Sequence, residues 1–226
     1  MYTKFFKRFI DLVLSLLAFA VLWPFLLVLT VIGAIMMKGN PFFTQPRPGK
    51  DEKIFKLLKF RTMTNEKDEN GNLLPDEKRL NAYGKFLRST SCDELPSLIN
   101  IIKGELAIVG PRPQLVRDMV FMTAEERKRH TVRPGLTGLA QVNGRNNMLW
   151  EKKFEYDLKY IEDITFLGDI KIILKTAVKV FQRDGITEEG MATAMDLGDY
   201  LLENGKVDQS EYDSKQREAK ELLRGF

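Results

Sequence analysis

From Phe9 to Met37 the chain is almost continuously apolar, broken by Asp11, Ser15, Pro24 and Thr30, with Lys4, Lys7 and Arg8 ahead of it. Such a run predicts a membrane helix. At 1.5 Å per residue it is roughly 43 Å long, more than the roughly 30 Å of a hydrocarbon core, so a simple span would have to tilt. Lys38, Arg47, Lys50 and Lys53 follow it, and basic residues at both ends place both ends in the cytoplasm. Pro24 removes a backbone hydrogen bond near the middle and predicts a kink. A bent, re-entrant helix meets all three conditions better than a tilted span. Ala18-Phe19-Ala20 resembles a leader cleavage site, but the apolar run continues well past it and Asp11 interrupts the would-be leader core.

Beyond the run the pattern changes. Residues 39–50 are turn-rich, and Ile54 to Met63 can form an edge strand or half of a short hairpin. Thr64 to Lys78 is polar and aperiodic, which predicts a mobile surface loop. Leu80 to Leu87 reads as a short amphipathic helix with Tyr83 and Leu87 on one side. Pro96 fits only the first turn of a helix, so the next one starts at Asp93 or Glu94 and runs through Leu98, Ile99, Ile101 and Ile102. Thr123 to His130 predicts a charged surface helix capped by Thr123 with Glu126, leaving His130 at the surface. Asn147 caps a helix with the stripe Trp150, Phe154, Leu158 and Ile161, and Asp157 faces elsewhere. Asp169 to Arg183 carries Ile170, Ile173, Leu174, Ala177, Val178 and Phe181 on one side and Lys171, Lys175, Lys179 and Arg183 opposite. That pattern suits core packing or an interfacial helix beside anionic lipid. Asp208 to Leu223 reads as a solvated, mixed-charge helix. The fold expected is mainly α with a small β-hairpin (α+β): an anchor over 1–38, a compact body over 39–190 and a polar helical tail over 191–226.

Charge narrows the partners. With 35 basic and 31 acidic residues the formal charge is +4. This suits an anionic membrane surface or phosphate-bearing substrates, and basic and aromatic residues are not interleaved as nucleic-acid binding requires. Cys92 is the only cysteine and His130 the only histidine, which excludes an internal disulfide and a Cys/His zinc site. Cys92 is either a packing residue or a thiol beside the adjacent acids.

Candidate chemistry centres on Asp93-Glu94. Ser91 and Glu94 have the spacing of a capping box, which is one reading of the pair. The other is a nucleophile or metal ligand, kept ionised by a helix N-terminus and by Arg88 upstream. Lys59 and Arg61 project from one strand face and suit a phosphate. In Gly110-Pro111-Arg112-Pro113 two prolines restrict the turn around Arg112, as bidentate phosphate contact favours. Gly135, Gly138 and Gly144 permit close backbone approach, while Gln141, Asn143 and Arg145 supply nucleotide hydrogen bonds.

Taken together, Lys7-Arg8-x-x-Asp11, Phe43-Thr44-Gln45-x-Arg47-Pro48-Gly49, Lys59-Phe60-Arg61-Thr62-Met63, Asp93-Glu94-Leu95-Pro96, Gly110-Pro111-Arg112-Pro113, Arg133-Pro134-Gly135-Leu136-Thr137-Gly138 and Gln141-Val142-Asn143-Gly144-Arg145 resemble the bacterial sugar transferases, the monotopic polyprenyl-phosphate phosphoglycosyl transferases. The likeness is greatest to the small enzymes that use UDP-linked diacetylbacillosamine or a related N-acetylated sugar. Trp23 stands where close relatives often carry serine, which leaves the bend to Pro24. The resemblance implies a cytoplasmic catalytic domain on the bacterial inner membrane, with interfacial amphipathic helices. It implies that Asp93 attacks a UDP-sugar, releases UMP and passes the sugar phosphate to undecaprenyl phosphate. It further implies Mg²⁺ on Glu94, phosphate contacts from Lys59, Arg88, Arg112 and Arg145, a substrate role for Asp157, and downstream glycosyltransferases as partners. The competing reading is a non-catalytic membrane scaffold of a glycan-assembly complex.

Overall fold

The computed structural model describes residues 2–144, 148–182 and 195–226. A π turn over Tyr2–Phe6 leads into α1, Lys7–Met36, with Pro24 inside it. The buried positions of α1 are Asp11, Ser15, Leu26, Leu29 and Gly33, a single stripe at helical spacing. That stripe meets the body at both ends. Near the start, Arg8 donates to the Ile102 carbonyl at 2.8 Å and Asp11 accepts from the Ile108 amide at 3.2 Å. Ala18 and Leu22 pack on Phe55, Leu57, Leu98, Ile101 and Leu106. Further along, the Tyr83 hydroxyl donates to the Leu29 carbonyl at 2.7 Å. The other faces of α1 expose Leu17, Val21, Trp23, Leu27 and Ile35. Only 17% of its most apolar window is buried, far too little for the core helix of a soluble protein.

Strands β1, Phe42–Pro48, and β2, Ile54–Phe60, pair antiparallel from Phe42 opposite Phe60 to Pro48 opposite Ile54. The hairpin therefore begins in the stretch that composition marked as turn-rich. Pro46 and Pro48 are two apart, so both can turn their missing donors to the unpaired edge of a two-stranded sheet. Residues 64–78 carry local structure: Lys67 bridges Leu73, and one helical turn, α2, covers Asp76–Arg79. Helix α3, Ala82–Thr90, begins at Asn81, whose side chain accepts from the Gly84 amide. A 3-10 turn, Cys92–Ser97, then leads into α4, Leu98–Lys103, which ends at Gly104 with φ 85°. The buried Asn100 ties α4 to β2 by accepting from the Leu58 amide at 3.0 Å and donating to the Lys56 carbonyl at 2.8 Å.

Strand β3, Ala107–Val109, pairs parallel with β4, Gly135–Thr137. The crossover between them holds two short helices, α5, Val116–Met119, and α6, Ala124–Arg127, and a 3-10 turn over Lys128–Thr131. Thr123 and Glu126 form the expected capping box, but the helix lasts one turn. The tighter 3-10 winding then rotates Arg129 and His130 inward, so His130 is buried rather than at the surface.

Short α7, Leu139–Asn143, precedes α8, Trp150–Glu162, and α9, Phe166–Gln182. The expected cap at Asn147 and the cation at Arg183 lie outside the described residues. The stripe expected on α9 is largely turned outward. Among its described side chains Asp169 and Ile172 are buried, and Phe166, Leu167, Ile170, Leu174 and Val178 are exposed. Helices α10, Leu197–Glu203, and α11, Gln209–Leu222, follow. Their Leu197, Tyr200, Leu201, Tyr212 and Ala219 close a core with Val120, Phe121, Met122, Trp150 and Phe154.

Candidate active site

The 3-10 turn over Cys92–Ser97 sits against β2, and Ser97 fixes it there by donating to the Leu58 carbonyl at 2.7 Å. Ser91 adopts a left-handed φ of 56° and makes no side-chain cap, so the capping-box reading of Ser91 and Glu94 is not what the chain does. Glu94 instead points across to two cations. Its Oε1 accepts from Lys59 Nζ at 2.7 Å and from Arg112 Nη2 at 2.9 Å. Lys59 reaches it from β2 and Arg112 from the Pro-Arg-Pro turn after β3, so three elements distant in sequence meet at one carboxylate.

The adjacent acids behave differently. Burial opposes ionisation of Glu94, but the charges of Arg112 and Lys59 outweigh it and hold that carboxyl well below the usual range. Burial, and then the Glu94 charge, push Asp93 above its ordinary value against the pull of Lys59, Arg112 and Arg88. The sequence expected surroundings that favour the charged form of both acids; the shift runs that way for Glu94 and the opposite way for Asp93. At Asp93 burial outweighs the cations, whereas at Glu94 the cations outweigh burial. Two neighbouring acids with pKa values driven apart are suited to different tasks. Arg88 stays within electrostatic reach of Asp93 while its Nε donates to Thr62 Oγ1 at 3.1 Å.

A cleft at Glu94 is lined by that residue with Arg47, Lys59 and Arg112 and by Leu57, Leu106 and Leu136; Asp93 is not among its lining residues. Arg61 does not join Lys59 there; its Nη2 turns to the Phe42 carbonyl at 3.4 Å. Gln141 donates to the Leu136 carbonyl at 3.0 Å and Asn143 to the Leu139 carbonyl at 2.8 Å, so both amides serve their own segment. Arg145 lies outside the described residues. Asp157 is not at the cleft surface. It is buried, and its Oδ2 accepts from Arg129 Nε at 3.0 Å and Nη2 at 2.6 Å.

Two of the three glycines expected to approach a nucleotide, Gly135 and Gly138, pack against backbone instead, and Gly144 faces the Met148 side chain. A Cβ on Gly135 would stand 2.1 Å from the Gly110 nitrogen, and one on Gly138 would stand 2.2 Å from the Gly110 carbonyl oxygen. That contact holds the turn before Arg112 against β4, with the Gly110 amide donating to the Thr137 carbonyl at 2.9 Å. Gly135→Ala is expected to cost ~2 kcal/mol or more and to lower the melting temperature by roughly 5 °C. An unchanged thermal denaturation curve would mean that this contact is not as close as described.

The sequence assigned no site role to two residues that support Arg112. Arg47 donates to the Pro113 carbonyl at 3.0 Å and lies in a second Pro-Arg-Pro, Pro46-Arg47-Pro48, a repeat that could have drawn attention to it. Arg129 sits in the basic run Arg127-Lys128-Arg129-His130, which signals nothing but a solvated surface.

Residues 2–183 match the family described as bacterial sugar transferase. The chain is 46% identical over 190 residues to an uncharacterized sugar transferase, EpsL, of Bacillus subtilis, covering 83% of this chain and 93% of that protein. It is 39% identical over 186 residues to a UDP-glucose:undecaprenyl-phosphate glucose-1-phosphate transferase of Klebsiella pneumoniae, covering 78% and 40%. Identity is 33% over 202 residues to an undecaprenyl-phosphate galactose phosphotransferase of Salmonella typhimurium, covering 81% and 42%. The chain thus spans about two fifths of the length of the latter two.

Proposed function

The chain belongs to the bacterial sugar transferase family, and on that premise we propose that it transfers a sugar 1-phosphate from a UDP-sugar to undecaprenyl phosphate and releases UMP. The observation that carries this reading is the carboxylate pair in which Glu94 gathers Lys59 and Arg112 while Asp93 is left above its ordinary pKa. A scaffold would leave that convergence without a purpose.

In the first step an ionised Asp93 oxygen attacks the β-phosphorus of the UDP-sugar. The bond from that phosphorus to the bridging oxygen breaks, and UMP departs with the electron pair. In the second step a phosphate oxygen of undecaprenyl phosphate attacks the same phosphorus and Asp93 is released as carboxylate. Lys59, Arg88 and Arg112 oppose the charge of the diphosphate, and arrival of that charge releases Lys59 and Arg112 from Glu94. Before then, Glu94 keeps the two cations close without a ligand.

Among the described residues no group of three or more His, Cys, Asp or Glu side chains could hold a metal. Both bonds to Glu94 fall on Oε1, which leaves Oε2 outside them. That donor set fits Mg²⁺ shared between one or two carboxylates and substrate phosphates, and does not fit a cage of protein ligands. When bound, Mg²⁺ would neutralise phosphate charge and stabilise the departing UMP.

The exposed faces of α1 and α9 support membrane association, and α1 meets the body near both its ends. We read α1 as re-entrant, with the catalytic domain on the cytoplasmic face of the inner membrane and α9 at the lipid interface. There a soluble UDP-sugar and a lipid phosphate can reach one carboxylate, and downstream glycosyltransferases can take up the product. Glucose and galactose appear in the names of the relatives, and the motif resemblance points to an N-acetylated sugar. A screen of UDP-glucose, UDP-galactose and UDP-N-acetylated sugars with the full chain, Mg²⁺ and undecaprenyl phosphate should show UMP release with at least one donor, abolished by excess chelator. No UMP from any donor would overturn the enzyme reading, and full activity in chelator would overturn the metal's part in it.

A further inference from the structure

Arg112 is held in a way that its own side chain does not explain. Its side chain is 44% exposed and its guanidinium is tied to Glu94, but the peptide beneath it is gripped from the protein interior. Arg129 Nη2 donates to the Arg112 carbonyl at 2.6 Å, and Arg47 Nη1 donates to the next carbonyl, that of Pro113, at 3.0 Å. Successive carbonyls of one Pro-Arg-Pro turn are thus each held by a guanidinium. Arg129 is in turn held by Asp157 from α8, and the two side chains are 1% and 2% exposed. The Arg129 guanidinium also lies 5.9 Å over the Phe154 ring, one turn earlier on α8.

An ion pair this deep carries a large desolvation cost, and apolar residues of similar volume often replace such pairs without loss of stability. Stability alone therefore gives little reason for charge here. What an apolar pair cannot supply is a planar donor whose Nε and Nη2 both meet a carboxylate while Nη2 also reaches the Arg112 carbonyl. Arg112 carries phosphate charge only if its head is at the right place before the substrate arrives, and a displacement of about 1 Å can cost about 10²-fold in rate.

We propose that Arg129 and Asp157 form a positioning pair that sets Arg112 from below, so that Asp157 acts on the reaction through Arg129 and does not touch the substrate. This rests on the transferase reading for its kinetic consequence, but the restraint on the turn is a property of the chain itself.

The test uses the full chain with undecaprenyl phosphate and whichever UDP-sugar releases UMP in the screen above. Three changes are compared: Arg129→Met with Asp157→Leu, Asp157→Asn, and Arg112→Ala. The Met/Leu variant should melt within a few degrees of wild type. It should lose roughly 30-fold in kcat/KM, and the amides of Gly110, Arg112, Gln114 and Leu115 should exchange hydrogen faster by mass spectrometry. Asp157→Asn keeps an oxygen to receive Arg129, so its folded fraction should retain most of the activity even though its melting temperature falls. Placing the Met/Leu pair on Arg112→Ala should cost no more than about 3-fold beyond Arg112→Ala alone, because a pair acting through Arg112 has nothing left to position. Fully additive losses would overturn the proposal. So would a Met/Leu variant of wild-type activity, unchanged exchange at 110–115, or an Asp157→Asn variant that folds but loses about 100-fold. Should the Met/Leu pair fail to fold, Asp157→Asn and its combination with Arg112→Ala decide by the same criteria. If wild type releases no UMP, the transferase reading is what has failed, and the exchange measurement still decides whether the pair restrains the turn.

Discussion

Asp93→Asn is expected to lower UMP release by about 10⁴-fold or more while leaving the fold and its melting temperature nearly unchanged. The amide fills the same volume, but it cannot form and break the bond to phosphorus. Little stability is at stake, because the 3-10 turn over Cys92–Ser97 has no side-chain cap to lose, and burial already disfavours the charged form of Asp93. With the wild type, a UDP-sugar and no undecaprenyl phosphate, mass spectrometry should find a phosphosugar on the peptide containing Asp93. An active Asp93→Asn protein, or an adduct on Cys92 or Glu94, would remove Asp93 from the role of nucleophile.

Glu94→Gln is the second large effect, and it carries a signature of its own. Turnover should fall by roughly 10²-fold to 10³-fold, because Lys59 and Arg112 lose the carboxylate that gathers them before substrate arrives. The pH dependence of the remaining reaction should move as well. Ionised Asp93 is the working form, so adduct formation declines as pH falls through the Asp93 pKa. After burial, the largest influence raising that pKa is the charge of Glu94, while Lys59, Arg112 and Arg88 lower it. Removing the Glu94 charge leaves the cations unopposed, so the acid limb of the single-turnover profile should shift to lower pH. A limb that stayed in place, or moved upward, would show that the two carboxyls are not coupled in this way.

The apolar helix was legible from residue order alone, because an almost unbroken apolar run longer than about twenty residues has few fates and length decides among them. The hairpin was half legible. Ile54 to Phe60 reads as a strand, but its partner runs through Pro46 and Pro48, and only the unpaired edge of a two-stranded sheet makes those prolines harmless. On α9 the apolar stripe was plain and its direction was not. Periodicity gives a face and not what the face meets, and here Asp169 and Ile172 turn inward while Leu174 and Val178 turn out.

At the site, the sequence by itself determined the chemical types: two adjacent acids, an arginine between prolines, a lysine on a strand and glycine-rich turns, all of them local spellings. Only the tertiary structure decided which of them meet. Glu94 bonds across long gaps in the chain to Lys59 and Arg112, and those contacts, with burial, separate the two carboxyls in pKa. Asp157 shows the same limit from the other side. Its charge is visible in the chain, but its burial against Arg129 beneath the turn of Arg112 is not, since both desolvation and Coulomb attraction depend on what lies within a few ångströms in space and not on neighbours in sequence.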